Sequence, residues 1–300
     1  MARRKRAEVV DDILGAIDVG TNAVRLELAR VLPDGSIEGL HTERDPVRPG
    51  EGLFRSGVIS REVANRLVAT LRRYSALCAR YGARVRAVAT SALRDARNRD
   101  EIVRRVKREA DLTLDVVSGR EEARLICLGV LHGKQAHQRS LCIDIGGGST
   151  EIIFANGDQP RDLWSLDLGA VRLTELFEVK DTLSEKKLEL MRNFAREMLN
   201  ERIKGTLKGM PTSAIGSSGT IGAIVAFARS DGYGHATVQE VSRAVEELAE
   251  MDSEKRRKRF DPRRADIIVA GAVVLEAVMR RFHVHTLTAV DRGQIGRAHV

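Results

Sequence analysis

The chain has 300 residues, of which 43% are hydrophobic and 31% charged, and its formal net charge is +8. This composition is typical of a soluble globular protein with room for two domains of ordinary size. No segment approaches the ~20 apolar residues of a membrane-spanning helix, and no signal peptide follows the basic N-terminus. We therefore expect a cytoplasmic protein with no membrane partner.

The positive charge favours an acidic partner or substrate. No helix-turn-helix, zinc-finger or RNP signature accompanies it, and only 4% of residues are aromatic, which is little for base stacking. We expect no specific nucleic-acid partner, and a polyanion without bases fits the charge as well. The three cysteines, Cys78, Cys127 and Cys142, are unevenly spaced, which favours reduced core thiols over a disulfide framework or a zinc site.

Strands and helices alternate along the predicted chain. Predicted strands cover residues 14–19, 24–31, 37–42, 84–89, 114–117, 141–145, 150–154, 163–168, 213–215 and 286–290. Predicted helices run from a Ser60 cap to about Gly82, over 99–110, from about Gly119, after Gly169, from a Ser184 cap to about 207, and over 221–229, 239–251 and 265–282. Residues 48–57 and 90–95 are predicted loops, and 252–264 is a basic loop with short helical character.

Residues 141–154 read LCIDIGGGSTEIIF, in which three glycines separate two β-prone segments. Glycine reaches positive φ freely, so residues 146–148 predict a tight hairpin whose exposed N–H groups can bind an anion. Asp144 and Glu151 flank this turn, and a divalent cation would reconcile the two carboxylates with a bound phosphate. The alternative is an ordinary hairpin whose acidic residues face water.

The same pattern occurs near the start of the chain, where residues 17–28 read IDVGTNAVRLEL. Asp18 matches Asp144 at a separation of 126 residues, and Arg25 matches Glu151 at the same separation. An internal repeat this long predicts two similar lobes, each offering a glycine turn to a shared cleft. One turn then carries an arginine where the other carries a carboxylate.

A second phosphate loop is predicted at residues 216–220, where a strand, a Gly/Ser turn and a helix start follow one another. The segment is neither a Walker A sequence nor a nucleophile elbow. Glu121 and Glu122 open another helix. At least one of them is an ordinary partner of the helix dipole, and the other is a candidate general base. Arg94 follows a buried strand, where it can meet a ligand or lie on the surface.

With these segments identified, the chain resembles the Ppx/GppA family of exopolyphosphatases and guanosine pentaphosphate phosphohydrolases, within the acetate and sugar kinase, Hsp70 and actin superfamily. The resemblance is carried by IDVGTNAVRL, ATSALRDARN, SGREEARL, IDIGGGSTEI, LGAVRLTE, IGSSGT and RRADIIVAGAVVLEAV. It implies an α/β fold of two ribonuclease H-like lobes with mixed five-stranded sheets and an interdomain cleft. We place the lobes at 13–126 and 127–293, after a basic disordered tail at 1–12 and before a non-native tail at 294–300.

The resemblance also implies roles for individual residues. Glu122 would activate water, with Glu121 as the alternative, while Arg25 and Arg94 would clamp the terminal phosphate. The carboxylates expected to hold Mg²⁺ or another divalent cation are Asp18, Asp144 and Glu151. The remaining phosphate-binding residues are expected in three turns: Gly20, Thr21 and Asn22; Gly146, Gly147, Gly148 and Ser149; and Gly216, Ser217, Ser218, Gly219 and Thr220.

The expected function is Mg²⁺-dependent hydrolysis of a phosphoric anhydride, releasing terminal orthophosphate from inorganic polyphosphate. One alternative is hydrolysis of guanosine pentaphosphate to the tetraphosphate, and another is non-catalytic binding of polyphosphate or guanosine polyphosphates. The family's first turn usually reads Gly-Ser-Asn-Ser-Phe, so Ala23 lacks one hydroxyl contact. A homodimer is compatible with the resemblance, and the sequence leaves the oligomeric state open.

Overall fold

A computed structural model of the chain describes residues 12–34, 36–131, 135, 137–204, 211–229 and 234–290. The predicted tails at 1–12 and 294–300 lie outside these residues except for Asp12, which is the first residue of a strand and not part of a disordered tail. The strands are β1 (Asp12–Val19), β2 (Val24–Val31), β3 (Ile37–Asp45), β4 (Arg84–Ala89), β5 (Leu114–Val116), β6 (Arg139–Ile145), β7 (Thr150–Asn156), β8 (Gln159–Leu166), β9 (Ser213–Gly216), β10 (His235–Thr237) and β11 (Thr286–Ala289).

The helices begin and end close to most of the predicted bounds. They are α1 (Leu53–Ser56), α2 (Arg61–Arg80), α3 (Ser91–Asp95), α4 (Arg99–Ala110), α5 (Gly119–Val130), α6 (Ala170–Leu176), α7 (Glu185–Arg202), α8 (Gly219–Ala228), α9 (Val238–Glu250), α10 (Ser253–Arg259), α11 (Pro262–Ala265) and α12 (Ile268–Arg281). Within the described ranges, none of these helices is long and apolar enough to cross a membrane.

The two sheets share one topology. The first has the strand order β3-β2-β1-β4-β5, and the second has the order β8-β7-β6-β9-β11-β10. In each sheet the three strands that come first in the chain form an antiparallel meander. Two later strands, β4 and β5 in the first sheet and β9 and β11 in the second, run parallel to the strand that begins the meander. This arrangement confirms the predicted fold class. The second sheet has a sixth strand, β10, which the sequence did not predict because three residues are too short to show alternation.

Serine caps and apolar stripes explain where the long helices form. The hydroxyl of Ser60 accepts a hydrogen bond of 3.2 Å from the backbone N of Val63, and Leu67 and Leu71 are among the residues that α2 buries. The last helix, α12, is apolar on nearly every face and packs against α6, α7, α8 and α9. Gly271 lies inside it, where a β-carbon would come within 2.4 Å of Thr220. The second core therefore packs directly against the first turn of α8.

Helix α5 packs against β7 and β8 of the second sheet. Its buried residues Ala123, Ile126 and Cys127 join a small apolar cluster with Cys142 and Ile153. The start of α5, which carries the Glu121–Glu122 pair, is thereby fixed relative to the second sheet. The predicted boundary between residues 126 and 127 falls inside this helix and stays a prediction.

The predicted loops at 48–57 and 90–95 are wrong in part, because they contain the short helices α1 and α3. Helices of four and five residues are too short to show a 3.6-residue period in the sequence. Contacts with the other lobe help to hold α1 in place. The carboxylate of Glu175 on α6 accepts hydrogen bonds from the backbone N of Gly52 at 2.7 Å and of Phe54 at 3.2 Å.

Candidate active site

The two glycine turns predicted from the repeat close in the same way. In the first lobe the backbone N of Gly20 donates to the carbonyl of Ala23 at 3.1 Å, and in the second Gly146 donates to Ser149 at 2.9 Å. The matched residues of the repeat are also register partners, since Asp18 pairs with Arg25 and Asp144 with Glu151 across their hairpins. The repeat in the sequence is therefore a repeat in space.

The glycines of the second turn are required by the opposite lobe. A β-carbon at Gly147 would lie 2.9 Å from the side chain of Thr21, and one at Gly148 would lie 2.3 Å from the hydroxyl of Ser91. The sequence predicted that these glycines are needed for a positive φ. This prediction is wrong, because none of residues 146–148 has a left-handed φ. They are small because side chains of the first lobe lie against this turn.

A cleft with about 840 Å³ of empty space lies where the turns meet. The predicted site residues that line it are Asp18, Gly20, Thr21, Asn22, Arg25, Glu122, Asp144, Gly146, Gly147, Gly148, Ser149, Ser217, Ser218, Gly219 and Thr220. Four predicted residues, Glu121, Arg94, Glu151 and Gly216, lie outside this lining. The structure thus brings together residues from both lobes that are up to about 200 positions apart.

Glu122 lies at the start of α5 with its side chain directed into the protein. Ser118 caps the helix by accepting a hydrogen bond of 3.2 Å from the backbone N of Glu121. Glu122 is 7% exposed, and its carboxylate accepts a hydrogen bond of 3.0 Å from Nη1 of Arg94. The same Arg94 nitrogen donates to the carbonyl of Val117 at 3.1 Å, which fixes the guanidinium against the carboxylate. Arg94 therefore holds Glu122 in place.

Burial raises the pKa of Glu122 to about 7. The positive charge and hydrogen bond of Arg94 lower the pKa, whereas the negative charges of Asp18 and Asp144 raise it further, and burial is the largest cause. A carboxylate with a pKa near neutrality can accept a proton from water more readily than an ordinary glutamate can. Glu122 thus has both the position and the basicity of a general base.

Glu121 is held on the other side of α5. Its carboxylate accepts hydrogen bonds of 2.7 Å and 2.8 Å from Nε and Nη2 of Arg124, one turn further along the helix. The Arg124 guanidinium lowers the pKa of Glu121 below its usual range. A carboxylate that is paired at the surface and less basic than usual is poorly suited to activate water, so the geometry favours Glu122 of the two.

Three more carboxylates lie at or beside the cleft: Asp18 and Asp144 are half-buried and line it, and Glu151 is buried outside the lining. Burial raises the pKa of Asp18 to about 6, even though Arg25 opposes the change, and its Oδ1 has no hydrogen-bond partner. Asp144 accepts a hydrogen bond of 2.5 Å from the hydroxyl of Ser217, and its pKa is also raised by burial. The pKa of Glu151 is raised well above its usual range, first by burial and then by its acidic neighbours. Carboxylates are suitable ligands of a divalent cation, although among the described residues no three His, Cys, Asp or Glu side chains are grouped so that they could hold one by themselves.

Comparison with known proteins agrees with this geometry. Residues 30–294 match the family model described as the Ppx/GppA phosphatase family. The chain belongs to the Ppx/GppA phosphatase family. It is 31% identical over 287 residues to exopolyphosphatase 1 of Mycobacterium leprae, covering 91% of this chain and 84% of the relative.

Two solved structures support the same assignment. An exopolyphosphatase from Cytophaga hutchinsonii matches with a TM-score of 0.86 and 26% identity, over 95% of this chain and 96% of that one. The Aquifex aeolicus PPX-GPPA enzyme matches with a TM-score of 0.77 and 28% identity, over 95% and 97% of the two chains. The two-lobed Ppx/GppA fold therefore extends over nearly the whole chain.

The sequence analysis missed several residues of the Ppx/GppA cleft. Arg44 lines it from β3 and is the register partner of Arg25, so two arginines lie side by side on adjacent strands. The predicted strand ended at residue 42. If it had been extended by two residues, the alternation of side chains along a strand would have placed Arg44 on the same face as residue 42. Thr90 and Arg264 also line the cleft. Arg264 belongs to the RRAD segment that carried the resemblance, although no role was predicted for it.

A cluster next to the phosphatase cleft joins the two lobes. Arg172 on α6 donates a hydrogen bond of 2.8 Å to the carbonyl of Gly148 and forms an ion pair with Asp95 on α3. Its guanidinium also lies 4.2 Å from the ring centroid of Phe54 on α1. The cluster links the second glycine turn to two elements of the first lobe and stabilises their close approach.

Proposed function

We propose that this phosphatase hydrolyses the terminal phosphoanhydride bond of inorganic polyphosphate. The proposal depends chiefly on Glu122, a buried carboxylate with a pKa of about 7 in the cleft formed by both glycine turns. The relatives named exopolyphosphatase support this choice of substrate. A chain of phosphates also fits a protein with a net charge of +8.

In the proposed reaction, a water oxygen attacks the terminal phosphorus while one of its protons passes to Glu122. The bond from that phosphorus to the bridging oxygen breaks, and its electron pair stays on the bridging oxygen of the shortened chain. Orthophosphate leaves as the second product. Displacement at phosphorus requires mainly positioning and charge neutralisation from the protein. Arg94 orients the base, and the adjacent Arg25 and Arg44 offset the negative charge of the phosphates.

The start of α8 provides the phosphate contacts of the second lobe. The hydroxyl of Ser218 caps this helix by accepting a hydrogen bond of 3.1 Å from the backbone N of Ile221. Gly219 and Thr220 lie in the first turn and line the cleft, where helix N–H groups without an intrahelical partner can bind phosphate oxygens. The helix dipole favours a negative group at the same place.

We further propose that a divalent cation such as Mg²⁺ is held by Asp18, Asp144 and Glu151. The unpartnered Oδ1 of Asp18 supports this proposal, and so do the pKa values of all three carboxyls, which are raised chiefly by burial and which a bound cation would lower. In the described part of the chain no three side chains already form a metal site, so water and phosphate oxygens would complete the coordination, as is usual for Mg²⁺. When bound, the cation would neutralise charge on the phosphate oxygens.

The decisive experiment compares phosphate release from long-chain polyphosphate and from guanosine pentaphosphate by the purified chain, with Mg²⁺ and with a chelator. We expect faster release from polyphosphate and loss of release with the chelator. Release from guanosine pentaphosphate alone would refute the proposed substrate. Glu122→Gln should reduce kcat by about 10²-fold to 10⁴-fold while polyphosphate binding persists, which separates a hydrolase from a binding protein.

The cation has its own test that does not depend on turnover. Because burial raises the pKa of Asp18 to about 6, this carboxyl is largely protonated near pH 5 and ionised near pH 8, so Mg²⁺ should raise the melting temperature more near pH 8 than near pH 5. Asp18→Asn should remove much of this effect. An equal rise at both pH values would contradict the assignment.

A further inference from the structure

We propose that a second groove, next to the cleft and along α8, binds the distal phosphates of a long polyphosphate chain while its end lies in the cleft. The inference rests on the proposed function and extends it to the preferred chain length. We name this groove the α8 groove and define it by Ala223, Ala226 and Phe227 on α8 and by residues 258–261 and Arg264 opposite. It has about 910 Å³ of empty space.

The α8 groove adjoins the catalytic cleft. Arg264 lines both of them, and a β-carbon at Gly219 would lie 2.5 Å from its guanidinium. Helix α8 begins in the cleft at Gly219 and reaches the groove at Ala223 and Ala226. The distance along the helix from Gly219 to Ala226 is about 10 Å at the usual rise per residue. A chain that leaves the cleft along α8 would therefore enter the groove directly.

Small and aromatic side chains of α8 line the α8 groove. Ala223 and Ala226 have small side chains that leave room for a chain lying along the helix. The rings of Phe227 and Phe260 pack against each other, with centroids 5.4 Å apart at an angle of 46°. The aromatic side chains therefore form part of the wall. Polyphosphate has no nucleobase, so its binding requires no pocket wide enough for an aromatic base.

The charge of the α8 groove complements a polyanion. Lys258, Arg259 and Arg264 line it together with one acidic residue, Asp261. Lys258 forms its ion pair with Glu254 at the surface, where the lysine side chain is 74% exposed, and such pairs contribute little. A phosphate chain with a negative charge on every unit can compete for this ammonium group, and the guanidinium of Arg259 is also exposed at the rim.

The test compares wild type with a K258Q/R259Q variant on tripolyphosphate and on long-chain polyphosphate. Removing two exposed cationic contacts should raise KM for the long chain about threefold to tenfold, without changing kcat or the kinetics on tripolyphosphate. The dependence of KM on salt should also become less steep. The matched control is K107Q/R108Q on α4, which removes the same two charges from exposed, ion-paired residues outside both cavities.

An unchanged KM of K258Q/R259Q for the long chain would refute binding in the α8 groove. The same conclusion would follow if KM for tripolyphosphate rose equally, or if the control variant showed an equal rise in KM for the long chain. Direct binding of long-chain polyphosphate, measured without turnover, should weaken by the same factor only in K258Q/R259Q. If wild type hydrolyses neither substrate, the proposed function fails by itself. If wild type is active and the variant behaves like wild type in both assays, only the groove is refuted.

Discussion

Replacing each glutamate of the Glu121–Glu122 pair by glutamine should change stability in opposite directions. Burial raises the pKa of Glu122, so the native state binds its proton more tightly than the unfolded chain does. The stabilisation from this proton is complete below the ordinary pKa of 4.5 and is lost as pH rises to about 7. Above that pH the ionised Glu122 destabilises the native state, and a neutral glutamine does not.

The size of the effect follows from the two pKa values. The difference between 4.5 and about 7 corresponds to about 3 kcal/mol, at about 1.4 kcal/mol for each tenfold change in proton affinity. Between about pH 5 and pH 8 the stability of E122Q relative to wild type should therefore rise by about 2 to 3 kcal/mol. E121Q should lose less than about 1 kcal/mol near pH 8, because Glu121 is partly exposed and its pKa is lowered by Arg124.

Urea unfolding in a chelator measures this difference through the single tryptophan, Trp164. Trp164 lies on β8, against which α5 packs, so its fluorescence reports on the sheet that contacts the helix carrying Glu122. The same preparations should show that E122Q loses phosphate release while E121Q keeps it.

The reasoning about Glu122 would be refuted if the stability difference between E122Q and wild type were the same at both pH values. Such a result would mean that the carboxylate is solvated or fully paired in the native protein. Loss of activity in E121Q with retention in E122Q would instead identify the surface glutamate as the base.

Three further predictions concern contacts around the cleft. Gly148→Ala should lower kcat/KM about tenfold, because its β-carbon would press on a serine hydroxyl of α3 at 2.3 Å, whereas Gly39→Ala meets no atom within 4 Å and should keep activity. Arg172→Ala should lower the free energy of unfolding by about 1 to 3 kcal/mol in urea titrations, because it removes the cluster that joins the lobes. Ser217→Ala should weaken Mg²⁺ binding about threefold to tenfold in melting-temperature titrations, because the carboxylate it contacts becomes harder to ionise.

The topology could be predicted because it is encoded locally and twice. The spacing of Asp18, its glycine turn and Arg25 defines a strand, a tight turn and a second strand, and the same spacing recurs at Asp144 and Glu151. Strand alternation and serine caps depend on residues close in sequence, so they are visible without coordinates.

Features that depend on contact between the lobes could not be predicted in this way. The glycines at 147 and 148 look like turn residues, but their size is dictated by Thr21 and Ser91 in the other lobe. Arg94 was expected to bind phosphate directly, and in the structure it holds Glu122. The contacting residues lie far from these positions in the sequence, so no local sequence pattern identifies the contacts.

The difference between the two repeats explains how one cleft can hold so many carboxylates. Arg25 lowers the pKa of Asp18 in its own lobe and also that of Asp144 in the other lobe. Glu151 lies at the matched position of the second repeat. Its pKa is raised by burial and then by its acidic neighbours, and it is lowered only by hydrogen bonds from two serine hydroxyls. Two lobes with glutamate at both positions would bring four carboxylates together without the guanidinium that offsets Asp18 and Asp144, which is strongly destabilising. The arginine at position 25 therefore offsets the charge of one carboxylate from each lobe, and this favours the close approach of the lobes.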